Sequence, residues 1–66
     1  MKISIKSDSI PVDKDDVPHN LAILTDRPIK YQPDKLDGHH LTYEIIGGQA
    51  NDLIVIQAFG FIAVEL

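Results

Sequence analysis

Cysteine and tryptophan are missing from this chain, and methionine occurs once. Without cysteine there is neither a disulfide framework nor a thiolate metal site, and the redox compartment is left open. Aromatic residues are sparse, two Tyr and two Phe, and neither Phe59 nor Phe61 has a cation beside it in sequence. That excludes a stacking platform for single-stranded nucleic acid. Cations are outnumbered, six Lys and Arg against ten Asp and Glu for a net charge of −4. The cations are scattered as well, so binding of nucleic acid through a general basic surface is not expected. The first residues lack the seven-residue apolar core of a secretory signal. The one long apolar stretch, Leu53 to Leu66, is too short to span a bilayer as a helix and carries Gln57 and Glu65. No membrane partner follows from it, and a cytoplasmic location is the default, with a virion as the alternative.

What is present begins with size. Sixty-six residues make a single small domain, 1–66, near the lower limit for independent folding. Ordering such a chain costs roughly 100 kcal/mol at about 1.5 kcal/mol per residue. With no disulfides, the offset must come from close packing, from assembly, or from a site built of histidine and carboxylate.

The C-terminal stretch LIVIQAFGFIAVEL bears most directly on that choice. Read as a strand, its one face is Ile54, Ile56, Ala58, Gly60, Ile62, Val64 and Leu66, without a polar side chain. The opposite face, Leu53, Val55, Gln57, Phe59, Phe61, Ala63 and Glu65, is interrupted twice. A strand apolar on both faces needs two covers, and a chain this short has little material for the second. Another chain is therefore expected to supply it, with Leu53, Val55, Phe59, Phe61 and Leu66 as the assembly surface. Gly60 either kinks this strand or splits it and reverses the direction of residues 61–66.

Elsewhere the pattern is simpler. Residues 1–6 alternate, with Met1, Ile3 and Ile5 on one side and Lys2, Ser4 and Lys6 on the other, which reads as a half-buried strand. Ser7 to Pro18 is loop chemistry. Residues 20–25 read as a short strand. The competing reading is a helix opened by Asp16 and Pro18, with Val17, Leu21 and Leu24 on one face. Residues 28–32 and 40–46 alternate again, and Gly47-Gly48-Gln49-Ala50-Asn51-Asp52 reads as the turn of a hairpin joining 40–46 to 53–59. The fold expected is mainly β: a small antiparallel sheet or half-open barrel of four to five strands, with allowance for one short helix near residues 16–25. Its expected core is Ile3, Ile5, Leu21, Ile23, Leu41, Tyr43, Ile45, Ile54, Ile56, Ile62 and Val64.

Chemistry-bearing clusters are few. Asp37, His39 and His40 form the one metal-site candidate, because imidazole and carboxylate suit zinc, nickel or iron. His39 and His40 are adjacent, so one must lie in a turn for both to reach an ion. Asp13 and Asp15 sit at the first and third positions of a calcium loop, but Pro18 falls where Gly is needed and Leu24 where a bidentate Glu is needed. No serine sits in a nucleophile elbow, and no Lys-Ser/Thr follows the Gly pair. Leu36 to Ile45 resembles the DG-x-x-LTY-x-I stretch of bacterial cadherin-like sandwich repeats over ten residues. The resemblance implies a turn leading into a strand, and Lys35 stands where those repeats carry an acid that would serve calcium.

The sequence thus points to a non-enzymatic protein-interaction or accessory protein that self-associates through its C-terminal apolar strand and needs no cofactor. One alternative is a small-ligand or metal-binding module at the Asp37, His39 and His40 turn. Another is an acidic inhibitor or nucleic-acid mimic built on Asp8, Asp13, Asp15 and Asp16.

Overall fold

The computed structural model describes residues 1–32 and 39–66. Its elements run β1 (Lys2–Lys6), α1 (Val17–Thr25), β2 (Ile29–Gln32), β3 (His40–Ile45), α2 (Ala50–Phe59) and β4 (Ala63–Glu65), with single 3₁₀ turns at Ser7–Ser9 and Lys14–Asp16. The strands form one antiparallel sheet in the order β2-β3-β1-β4. This element order and strand order are those of the split β-α-β arrangement. The molecule is a small α/β protein with an open sheet, and β2 and β4 are its edges. The expected four-stranded antiparallel sheet is present, as is a short helix within residues 16–25; the half-open barrel is corrected, and the mainly-β class holds only in part, because two helices supply one whole layer.

The register explains which side chains meet. Ile3 faces Tyr43 and Ile5 faces Leu41 across β1 and β3, while Ile29 faces Ile45 and Tyr31 faces Tyr43 across β2 and β3. Those residues lie on one face, and Val17 and Leu21 of α1 and Ile56 of α2 close over it. The N-terminal ammonium ties the sheet's end, donating to the Ile45 carbonyl at 3.0 Å while the Ile45 N–H donates to the Met1 carbonyl at 2.7 Å.

Over 20–25 the helix prevails. Pro18 fits the first turn, where its missing N–H costs nothing, and Val17 and Leu21 are fully buried on one face. Asp16 precedes the helix without a side-chain cap hydrogen bond. The helix ends at Asp26, left-handed at φ 55°, whose N–H donates to the Ala22 carbonyl. Pro28 lies beyond that stop and opens β2, so it limits the helix without forbidding it.

The larger correction is at 53–59, which is α2 and not a strand, so the hairpin joining it to 40–46 does not form. Two devices fix the helix. Gln49 and Asp52 make a reciprocal capping box at its start. Gly60, at φ 129°, ends it, and a Cβ there would also lie 3.4 Å from Pro11. The turn between β3 and α2 is equally specific: a Cβ on Gly48 would fall 2.9 Å from the Ile45 side chain.

Placing α2 and Gly60 ahead of β4 inverts the expected faces of the last residues. Phe61 and Ala63 point into the core, at 2 % and 3 % exposure, while Ile62 and Val64 point out at 53 % and 57 %. Ile23 and Ile54, also expected in the core, lie on the solvent sides of α1 and α2. The core gains Val17, Phe61 and Ala63 in their place.

Candidate functional site

The two faces of the sheet have different fates. Both helices cover one. On the other, cross-strand partners are Lys2 with Glu44, Ser4 with Thr42, Lys6 with His40, Lys30 with Glu44 and Ser4 with Val64. Lys2, Lys6, Lys30 and Val64 are exposed there, and Ser4 and Thr42 are half-buried. No described element lies over this face.

Its apolar border is the β4 edge. The Lys6 N–H donates to the Ile62 carbonyl at 2.9 Å and the Leu66 N–H to the Lys2 carbonyl at 2.9 Å. Residues 62, 64 and 66 therefore turn their backbone groups toward β1 and their side chains onto the open face. Leu66 is 68 % exposed. By the same alternation the backbone groups of Ala63 and Glu65 point away from the sheet. One of these is occupied: the Gln57 side-chain amide, reaching down from α2, donates to the Ala63 carbonyl at 2.8 Å.

The expected assembly residues divide. Leu66 and Phe59 are exposed, Phe59 by 45 %. Leu53 and Val55 are half-buried on α2, and Leu53 packs against the core. Phe61 is a core residue, so it is withdrawn from the surface. It remains the neighbour of Phe59, with ring centroids 5.8 Å apart and nearly parallel planes. Ile23, Ile54, Ile62 and Val64 are the exposed residues that sequence reasoning assigned to the core. For the last three the one available signal was Gly60 as a break in the alternation.

The metal-site candidate is only partly in view, because Asp37 lies outside the described residues. His39 occupies the turn before β3, its Nδ1 3.8 Å from the Asp8 carboxylate, and His40 opens β3 on the Lys6 side of the sheet. Among the described residues no three His, Asp or Glu side chains gather as a metal site. Asp13, Asp15 and Asp16 are solvent-exposed around the second 3₁₀ turn.

A cleft of about 290 Å³ lies at the start of α1, lined by Lys14, Asp15, Pro18, Tyr31, Leu41 and Tyr43. The tyrosine rings meet at 5.2 Å and tilt by 47°. Burial, and secondarily the neighbouring Tyr31, pushes the Tyr43 hydroxyl up to about 12. It stays protonated at neutral pH, able to hydrogen-bond but not to act as a base.

Among the described residues Asp52 is the buried charged one, and no local pattern singled it out beforehand. It accepts the Gln49 N–H at 2.8 Å and the Arg27 Nε–H at 2.8 Å. The Gln49 hydrogen bond, with Arg27 adding to it against the opposing effect of burial, holds its carboxyl below the usual range. The pair joins the turn after α1 to the first turn of α2, a structural clamp remote from β4.

Among the described residues no helix is long and apolar enough to cross a membrane. No protein-family model, curated protein or solved structure matches the chain. The fold and its surface thus define a small α/β protein with one sheet face covered and one open among the described residues, and an apolar edge strand bordering the open face.

Proposed function

We propose that this chain is a non-enzymatic protein-interaction protein that works as an assembly of copies joined through its C-terminal strand. The observation that carries the reading is the row Ile62, Val64 and Leu66, each more than half exposed on an edge strand. Contiguous apolar surface of this kind on a small protein marks an interaction site, and an open edge is a template for another strand. Each such side chain is worth about 1.5–3 kcal/mol when fully buried, so covering three already half-exposed ones on each copy is a moderate driving force. Phe59 and Ile54 add apolar surface on α2, where a second protein would dock on the assembled unit.

Light scattering on the purified chain over a wide concentration range tests this. A mass that is a fixed multiple of 7.3 kDa, or that rises toward one, supports it, and a single-copy mass at every concentration contradicts it.

The tyrosine-lined cleft favours a second reading, a small-ligand module, and His39 and His40 keep its metal version in play. Nickel or zinc at a hundredfold excess over its dissociation constant would then add about 2.7 kcal/mol of stability. An unchanged melting temperature, or a shift that survives His39→Ala with His40→Ala, removes the metal version.

A further inference from the structure

We infer that two copies of this chain join edge to edge, β4 against β4, in one antiparallel register whose two-fold axis passes beside Val64. The inference rests on the self-association reading above and specifies its geometry.

The backbone selects the register. The outward-facing residues of β4 are Ala63 and Glu65, because 62, 64 and 66 are committed to β1. An antiparallel partner uses all of the outward groups on both copies only if Ala63 of one faces Glu65 of the other. Shifting the axis to Glu65 sets two carboxylates directly opposite each other, which is repulsive. Shifting it to Ala63 requires the backbone of Phe61, whose N–H already donates to the Ile56 carbonyl. Only the Val64-centred register is free of both conflicts.

The side chains then match. On the open face, Ile62 meets Leu66 of the second copy, Val64 meets Val64, and Leu66 meets Ile62. These are non-hydrogen-bonded pairs, the closer-spaced kind, so all six apolar side chains form one seam. On the helix face, Glu65 of the second copy arrives opposite Ala63, where the Gln57 amide stands. Gln57 can pass its hydrogen bond from the Ala63 carbonyl to that carboxylate, which frees the carbonyl for the incoming Glu65 N–H. In the separate chain Gln57 covers the edge; in the pair it bridges the seam. The product is a continuous eight-stranded sheet with one open face.

The absence of cysteine makes the register directly readable. Single-cysteine variants V64C, A63C and E65C of the full chain are oxidised mildly and run without reductant. Residues paired as Val64 would be have Cα atoms about 4.5 Å apart, within disulfide reach. The expected result is that V64C shifts from 7.3 kDa to twice that mass, that A63C and E65C lag well behind, and that denaturant abolishes the difference. Mixing I62C with L66C should give the crossed product in preference to either self-product. Faster self-crosslinking of A63C or E65C overturns the register. So does a wild-type dimer by light scattering in which V64C does not crosslink, and in that case self-association itself still stands. A wild-type chain that is single at all concentrations removes both.

Discussion

The two β-α-β halves of this molecule use apolar residues differently. In residues 1–32 the large apolar side chains with substantial exposure are Ile23 and Tyr31. In residues 39–66 they are Ile46, Ile54, Phe59, Ile62, Val64 and Leu66. Both halves contribute to one core, with Ile3, Ile5, Val17 and Leu21 from the first and Leu41, Tyr43, Ile45, Ile56 and Phe61 from the second. The first half spends nearly all its apolar side chains on that core, whereas the second has a surplus. A surplus on an edge strand and the adjoining helix is what an interface requires and a solvated surface does not.

The sharpest way to break this comparison is through Phe59 and Phe61, neighbours in sequence with opposite surroundings. Phe61→Ala should cost about 3–5 kcal/mol, as for a buried aromatic. For a domain of this size, whose whole stability is about 3–10 kcal/mol, that approaches unfolding. Phe59→Ala should cost less than about 1 kcal/mol at low concentration. Urea unfolding of the two variants decides it; equal losses would mean that the division of this segment between core and surface is wrong.

Next in size is the contrast between the halves themselves. Val64→Asp and Ile23→Asp both alter an exposed apolar residue, and each should change the stability of the single chain by no more than about 0.5 kcal/mol. Only Val64→Asp should lower the mass seen by light scattering at high concentration. A loss of assembly with Ile23→Asp would move the interface to the helix layer.

These effects also show why β1 and β3 were legible and residues 50–66 were not. In β1 and β3 polar residues mark the solvent side, so alternation identified Ile3, Ile5, Leu41, Tyr43 and Ile45 as inward. For α1, Val17, Leu21 and Leu24 were readable as one helical face, but the nearby Pro28 tipped the reading of 20–25 to a strand, which the helix overturns. In α2 the apolar residues run around the whole helix, Leu53, Ile54, Val55 and Ile56 in succession, so no polar side reveals the helical period. Three of those four are β-branched and favour a strand locally. The helix is decided by the Gln49–Asp52 capping box, by Gly60 and by tertiary packing, and the first of these is an unusual pair for a cap. Once α2 was misread, parity carried the error to Ile62, Val64 and Phe61. The face expected to be left apolar and open is inverted: Phe61 and Ala63 are buried, while Ile62 and Val64 are exposed.

A third test concerns the clamp between the halves. Asp52 has a folded-state pKa below its unfolded value of about 3.9, so its stabilisation is present above that value and is lost as pH falls through the folded pKa. The urea midpoint should therefore fall on acidification below about pH 4, and Asp52→Asn should be less stable at neutral pH with a flatter acid limb. An unchanged acid limb would assign acid sensitivity to other carboxylates.

The smallest effect is expected at Asn20, whose Oδ1 is buried with no hydrogen-bond partner among the described residues. Asn20→Leu removes an unsatisfied acceptor from α1 and should be neutral or stabilising by up to about 1 kcal/mol. A clear loss in thermal unfolding would show that the oxygen has a partner in solution.

The two sheet edges give the most direct test of the central claim, because each half contributes one. Pro28 directs its carbonyl to Ile46 of the neighbouring chain segment, so the amides of Ile29 and Tyr31 face out on β2, as those of Ala63 and Glu65 do on β4. The measurement is amide hydrogen exchange at these four positions in dilute and concentrated samples. The expected result is that protection at Ala63 and Glu65 rises with concentration while Ile29 and Tyr31 do not change. Protection that stays flat at β4, or that rises at β2 instead, would contradict assembly through the C-terminal strand.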